Sequence, residues 1–331
     1  MRRKTGLRMI AFALAFGISG LALAQTATDD TPPADLAAKV QAATAAADAG
    51  GAGPFKAEMV GDPGLPTHTI YRPKNLRAAA AKGKLPIIAW GNGACVNIGN
   101  RFRYFLTEIA SHGYVVVATG PMGPHSVEWK VTLTPDNAPP PPDRAPQSYA
   151  AQLTDGIDWA IAENARKGSA YFGKLDPSKV AVMGQSCGGL QAIAAAADPR
   201  VKTALVLNSG TFPDGSKPLA GTGDAIKASL KRIHHPVIWI SGDDSDIAHK
   251  NAGSDFAAYN HAPAVWAWHE GTGHSAHWRD PHGGLFTPVV TAWLDWQLKH
   301  RTSAAATFVG AECTLCKASG WHVSAKGFPM K

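Results

Sequence analysis

Charge is scarce in this sequence, and its distribution does not favour a nucleic-acid partner. Only 17% of the 331 residues are charged and 45% are hydrophobic, which is a globular composition. The formal net charge is +7, but residues 1–24 hold four basic residues and no acidic one, which leaves 28 basic and 25 acidic residues. That remainder has no basic run with interleaved aromatic residues. The sequence therefore argues against nucleic-acid binding.

The first 24 positions, which lack acidic residues, have the order of a secretion signal. Arg2, Arg3, Lys4 and Arg8 precede an apolar run from Met9 to Ala24 that ends in small residues. The alternative is an uncleaved membrane anchor, but the run is short for a spanning helix. We predict a signal peptide over 1–24 that is cleaved after Ala24, export to the periplasm or the medium, and no stable membrane insertion afterwards.

Cysteine is also rare. The chain has four, Cys95, Cys187, Cys313 and Cys316, and none directly follows the apolar run, which argues against a lipoprotein anchor. In the oxidising compartment of an exported protein, an even number of cysteines favours disulfides. From the number alone, three sets of pairs are possible.

After the predicted signal, the chain divides into a leader and one folded domain. Residues 25–53 are rich in Ala, Thr, Asp, Pro and Gly, which predicts a flexible leader with a short helix over 35–47. Residues 54–331 alternate apolar strands with helices, which predicts an α/β domain with a mostly parallel central sheet and helices on both faces. The predicted strands are 67–71, 85–90, 114–118, 179–183, 204–207, 236–240 and, as the last, 264–268. The predicted helices are 102–111, 147–166, 190–197, 224–232 and 287–299, and the proline-rich residues 120–145 are a predicted surface loop.

One motif in the domain is typical of a serine nucleophile. Residues 184–188 read Gly-Gln-Ser-Cys-Gly between a predicted strand and a helix of small residues. A sharp turn of this kind raises the hydroxyl of Ser186 above the sheet and directs the backbone N–H of Cys187 at a developing oxyanion. The alternative is a glycine-rich turn that only saves space. The flanking strand and helix favour the nucleophile.

A serine nucleophile needs a base, and the base needs an orienting carboxylate. In hydrolases with this motif the acid follows the serine in the chain and precedes the histidine. The loop after the strand 236–240 offers Asp243, Asp244 and Asp246. We favour Asp246 and expect the other two to be solvated turn residues.

The base is expected after the strand 264–268. His274 follows Gly273 on a short loop, with His269 and His277 as alternatives. The same stretch allows a second hypothesis, a metal site formed by His274, His277, Asp280 and His282. Their spacing matches no His-x-x-x-His helix face, so we favour the base and expect no metal.

A second oxyanion donor is expected from the loop after the strand 85–90, where Asn92 or Gly93 would provide a backbone N–H. Cys95 lies in this loop and Cys187 follows the nucleophile. The two loops touch in a hydrolase fold, so we hypothesise a Cys95–Cys187 disulfide that fixes the oxyanion site. Cys313 and Cys316 would then pair with each other; half a metal site and a redox pair are the alternatives.

These motifs resemble the α/β-hydrolase superfamily over roughly residues 54–331. The chain is most similar to exported dienelactone-hydrolase-like and cutinase- or polyester-hydrolase-like enzymes. The similarity lies in Gly-Gln-Ser-Cys-Gly-Gly at 184–189, Ser-Asp-Ile-Ala at 245–248, His274 with Pro-His-Gly-Gly at 281–284, and Trp-Leu-Asp-Trp-Gln-Leu-Lys at 293–299. It implies the α/β-hydrolase fold and the triad Ser186, Asp246 and His274.

The expected activity is hydrolysis of a small or polymeric carboxylic ester through an acyl-serine intermediate, without a cofactor. Trp90, Trp129 and Trp278 are candidates for the wall of the acyl pocket. Two alternatives stay open. One is an amidase or peptidase with the same triad, and the other is an inactive secreted binding protein of the same fold.

Overall fold

The computed structural model describes residues 32–129, 147–274 and 277–328. The predicted signal peptide at 1–24 lies outside the described residues, as do residues 25–31 of the leader and residues 130–145 of the proline-rich loop. The strands are β1 Ala57–Val60, β2 His68–Pro73, β3 Leu85–Gly91, β4 Val115–Thr119, β5 Leu175–Gln185, β6 Val201–Leu207, β7 Val237–Gly242, β8 Ala264–His269 and β9 Trp321–Lys326. The α-helices are α1 Ala37–Asp48, α2 Leu76–Ala80, α3 Arg103–Ser111, α4 Ala151–Ala165, α5 Cys187–Ala195, α6 His249–Ala258 and α7 Thr287–Gln297.

The nine strands of the described residues form one sheet in the order β1-β2-β4-β3-β5-β6-β7-β8-β9. The six strands from β4 to β8 run parallel, while β1, β2 and β9 join the two edges through antiparallel pairing. The predicted α/β class with a mostly parallel sheet is confirmed.

The sheet separates two hydrophobic cores, because successive side chains of a strand point to opposite faces. Ile87 and Ala89 of β3 pack into one core with side chains from α4 and α5. Ile88 and Trp90 pack into the other with side chains from α3 and α7. Burial on both faces explains why the central strands are continuous apolar runs. The helices therefore cover both faces, as predicted.

The order of the strands creates a crevice at the carboxyl end of the sheet. The chain leaves β3 toward β4 on one side, and it leaves β5 toward β6 on the other. Connections that diverge in this way open a cleft between two neighbouring strands, where open α/β sheets bind their ligands. The loop after β3 and the turn after β5 form the two sides of this cleft.

Several elements differ from the sequence prediction. Strands β1 and β9 and helices α2 and α6 were not predicted, so the strand at 264–268 is not the last one. The predicted helix at 224–232 is a 3-10 helix over Lys227–Arg232. The described part of the leader is packed: Ala43 of α1 is fully buried, and Thr44 Oγ1 lies 2.9 Å from the Tyr104 hydroxyl. Small alanine side chains allow α1 to approach its neighbours closely, and the composition of the leader does not reveal this packing.

Within the described ranges, no helix combines the length and apolar character that a membrane crossing requires.

Candidate active site

The candidate nucleophile lies in a strained turn between β5 and α5. Ser186 has φ 53° and ψ −121°, and its N–H donates to the Leu207 carbonyl at 2.9 Å. A positive φ is unfavourable for a residue with a Cβ and is retained where the surroundings enforce it. A Cβ on Gly188 would lie 2.0 Å from the Gly91 carbonyl oxygen, and one on Gly184 would lie 2.1 Å from the Gly188 oxygen. The glycines thus allow the turn to pack against β3.

Three predicted residues meet at this turn. The Ser186 Oγ lies 2.9 Å from His274 Nε2, and His274 Nδ1 lies 2.6 Å from Asp246 Oδ1. Asp246 and His274 are 2% and 7% exposed, so both lie inside the protein. The three side chains form one hydrogen-bonded series although 88 residues separate Ser186 from His274.

Hydrogen-bond donors surround the Asp246 carboxylate. Its Oδ1 also accepts from the Ala248 N–H at 2.9 Å, and its Oδ2 accepts from Gly242 N–H at 3.0 Å and Asn208 Nδ2 at 2.7 Å. Burial raises the pKa of Asp246, but these hydrogen bonds and the nearby His274 outweigh it and hold the pKa below its ordinary value. The group is therefore an anion that can orient an imidazole and stabilise its protonated form.

The alternative acids are engaged elsewhere. Asp243 accepts from the Ser245 hydroxyl and from the Gly271 N–H, both at 2.6 Å. The Asp244 side chain is 86% exposed and lies 4.0 Å from His249 Nε2. Of the three aspartates, the structure brings Asp246 to His274.

The alternative histidines also have other partners. His269 Nδ1 lies 3.0 Å from Thr272 Oγ1, and His277 Nδ1 lies 3.1 Å from Asp280 Oδ2. His282 Nδ1 lies 2.7 Å from Glu108 Oε2. In the part of the chain that the structure describes, no three side chains of metal-binding type converge on one point.

A cavity of about 130 Å³ opens beside Ser186 and His274. Its wall is largely apolar and includes Phe102, Leu190, Phe212, Leu219, Ile247 and Trp278. Of the three candidate tryptophans, Trp278 lines this cavity, whereas Trp90 is fully buried below it against Phe102. Trp129 is buried and is not among the lining residues. The cavity can hold a small apolar group next to the hydroxyl.

The side chain of Asn92, the predicted second oxyanion residue, hydrogen-bonds to β3, to β4 and to its own loop. Its Oδ1 accepts from the Trp90 indole N–H at 2.8 Å, and its Nδ2 donates to the Thr119 carbonyl at 2.7 Å. The loop residues that line the cavity are Gly93 and Ala94. These hydrogen bonds engage the buried Asn92 side chain, whereas the predicted oxyanion donor is a backbone N–H of Asn92 or Gly93.

Both predicted disulfides are present. Cys95 is bonded to Cys187, which ties the loop after β3 to the first residue of α5, and Cys313 is bonded to Cys316. Behind the first disulfide, Gln191 Nε2 lies 3.3 Å from Cys95 Sγ, and the Ser148 hydroxyl donates to the Cys95 carbonyl at 3.0 Å. The first disulfide thus bridges the crevice between β3 and β5.

Two polar residues of the site, Gln185 and Asn208, were not predicted from the sequence. Gln185 Nε2 donates to the His274 carbonyl at 3.0 Å, and Asn208 Nδ2 donates to Asp246. The position of Asn208 directly after a buried strand could have indicated a role in the site, because ligand sites of parallel sheets lie at the carboxyl ends of strands. Gln185 was part of the motif itself, but its role depends on a loop 89 residues away.

A hydroxyl, an imidazole and a buried carboxylate in series are the groups that acyl transfer to serine requires. The imidazole can take the hydroxyl proton through Nε2 while the carboxylate holds the Nδ1 proton. The helix α5 begins directly after the serine, and its first N–H groups have no partner within the helix and can bind an anion. No family model and no curated protein matches the chain.

Proposed function

We propose that the chain is an exported serine hydrolase of the α/β-hydrolase fold that cleaves carboxylic esters through an acyl-serine intermediate. The observation that carries the proposal is the series Ser186–His274–Asp246 beside an apolar cavity. The strained strand–turn–helix at Ser186 and the chain order Ser, Asp, His support the fold assignment. The two disulfides are compatible with an oxidising compartment.

In the proposed reaction, Ser186 Oγ attacks the ester carbonyl as its proton passes to His274 Nε2. Asp246 keeps the other ring proton on Nδ1, which leaves Nε2 free to accept. His274 then returns a proton to the leaving alcohol. A water molecule attacks the acyl-serine in the second half, with the same histidine as base, and releases the acid and free Ser186.

The negative charge of the tetrahedral intermediate needs preorganised donors. The Cys187 N–H, at the start of α5, is one. For the second donor we favour the backbone N–H of Gly93 or Ala94 over that of Asn92, because Gly93 and Ala94 line the cavity. The Cys95–Cys187 disulfide would hold both donor segments at a fixed separation.

Hydrolysis of p-nitrophenyl acetate and butyrate, together with labelling by a fluorophosphonate, tests the proposal. Ser186→Ala should abolish labelling and lower turnover by about 10⁴-fold or more, because the triad acts as a unit. The exposed Ser245 is the matched control, and Ser245→Ala should retain both. His274→Ala should be inactive and His277→Ala active.

Wild-type protein that neither turns over esters nor reacts with the phosphonate would contradict the proposal and favour a binding protein of the same fold. Faster cleavage of matched p-nitroanilides would identify an amidase instead. Export is tested separately by sequencing the N-terminus of the mature protein, which we expect to be Gln25.

A further inference from the structure

We infer that Asn208 and Trp278 are positioning residues of this site: Trp278 fixes the Asn208 amide, and Asn208 holds Asp246 in the orientation that His274 requires. The inference rests on the proposed function, because it assigns a role within the same triad. It is carried by the direction of two hydrogen bonds and by the backbone conformation of Asn208.

Asn208 lies directly after β6 and is fully buried. Its φ is 42°, and its N–H donates to the Ile240 carbonyl at 2.7 Å. A positive φ is tolerated best by glycine, asparagine and aspartate. Of these three, asparagine alone provides both a donor and an acceptor. The position therefore suits a short amide side chain beside the loop that carries Asp246.

The orientation of this amide follows from the chemistry of its neighbours. The Trp278 indole Nε1 donates to Asn208 Oδ1 at 3.0 Å, and an indole N–H can only donate. The Asn208 oxygen must therefore face Trp278, and its NH₂ group must face Asp246 Oδ2, 2.7 Å away. Asp246 as a carboxylate can only accept, so both ends of the amide are specified.

The two contacts extend the triad into a longer series, Trp278–Asn208–Asp246–His274–Ser186. Trp278 also lines the substrate cavity, and its ring packs edge-on against Phe105 and Phe286, with centroids 4.9 and 5.4 Å away. A well-packed ring keeps the indole N–H in place. The wall of the cavity is thereby connected by hydrogen bonds to the base.

The Asn208 donor favours the charged form of Asp246. When this donor is lost, the Asp246–His274 pair binds its proton more tightly. The base then stays protonated to a higher pH, so the acid limb of kcat/KM moves up in pH. Seven other charged or titratable groups stay unchanged in the variants below: Asp243 and Asp244 of the loop, His249, Lys250 and Asp255 of α6, and Arg101 and Arg279 of the cavity wall.

The test compares pH profiles of kcat/KM for a neutral p-nitrophenyl ester. Asn208→Gly keeps the backbone conformation and removes the amide, and we expect its acid limb about one pH unit higher. Asn208→Asp keeps the shape but places a second carboxylate beside Asp246, so its shift should be larger. Trp278→Phe keeps an aromatic ring but removes the indole N–H, which frees the amide to rotate and should give a smaller shift in the same direction.

A double variant separates positioning from general damage. If Trp278 acts through Asn208, Trp278→Phe adds no further pH shift in the Asn208→Gly background. The matched control is Trp239→Phe, because Trp239 is fully buried and its N–H has no hydrogen-bond partner among the described residues. That variant should leave the acid limb in place even if it lowers stability.

Unchanged acid limbs in Asn208→Gly and Asn208→Asp, or independent and additive shifts in the double variant, would overturn the inference. An NMR titration of the His274 ring gives a second readout, and the same upward shift is expected there in each variant. Because this titration needs no turnover, it judges the inference even if the wild type hydrolyses no ester. If Asn208→Gly does not fold, Asn208→Asp and Trp278→Phe decide by the same two readouts.

Discussion

At the scale of single residues, the choice among Asp243, Asp244 and Asp246 shows what a sequence can and cannot specify. The order of the motifs placed the acid in this loop, but three aspartates within four positions carry the same chemistry. Burial distinguishes them, because Asp246 is 2% exposed and accepts four hydrogen bonds. Folding brings the donors Asn208, Gly242 and Ala248 to Asp246. The positions of the three aspartates in the sequence do not reveal these donors.

Asp246→Asn is expected to lower kcat for ester hydrolysis by about 10⁴-fold, because the amide would favour the wrong tautomer of the histidine. Asp243→Asn and Asp244→Asn are controls at partly and fully exposed positions and should stay within about threefold of wild type. Steady-state kinetics at neutral pH measures all three. A large loss in Asp243→Asn with an active Asp246→Asn would reverse the assignment.

At the scale of elements, the turn between β5 and α5 depends on how closely two backbones approach. Gly188→Ala would place a Cβ 2.0 Å from the Gly91 carbonyl oxygen, which backbone atoms cannot accommodate without movement. We expect a loss of about 4 kcal/mol or more in the free energy of unfolding. Gly61→Ala is the control, because its nearest neighbour would be the Met122 side chain at 3.7 Å. Equal urea midpoints for the two variants would contradict this account.

The two disulfides should contribute unequally to stability. Cys95 and Cys187 close a loop with a separation of 92 residues, whereas Cys313 and Cys316 are three apart. Restriction of the unfolded chain then contributes about 4–5 kcal/mol for the first disulfide and about 2 kcal/mol for the second. Urea unfolding of the two double-alanine variants measures the difference. Removal of the first should also lower kcat, while removal of the second should not, and the reverse pattern would contradict the role assigned to Cys95.

The strands that were easiest to predict from the sequence are buried apolar runs. Strands β3 and β4 are buried at every position, so their patterns were plain. Strands β1 and β9 are antiparallel edge strands with one buried residue each, and their mixed sequences resemble loops. Helix α6 was missed because it has Gly253 in its interior, where a Cβ would lie 2.7 Å from the ring of Trp266. Gly253 leaves room for the Trp266 ring of β8, and this contact becomes apparent only once the sheet is formed.

At the scale of the whole molecule, one buried carboxylate connects segments far apart in the chain. Glu108 on α3 accepts from the Ala52 N–H at 2.9 Å and contacts His112 and His282 at 3.1 and 2.7 Å. It thereby joins the segment after α1 to α3 and to the turn before α7. Burial raises its pKa, but the hydrogen bonds from His112, Ala52 and His282 outweigh it and lower the pKa to about 2.

This depressed pKa predicts how stability depends on pH. Above its ordinary value of 4.5 the carboxylate is charged in the folded and the unfolded chain, and its contribution is complete. As pH falls from 4.5 to about 2, the unfolded chain takes up the proton first, so this contribution is progressively lost. Glu108→Gln should be less stable than wild type at pH 6 and should have a flatter profile below 4.5. Thermal unfolding followed by circular dichroism across this range measures both, with the exposed Glu312→Gln as the control that should match wild type. Parallel profiles for Glu108→Gln and wild type would show that Glu108 does not join these segments.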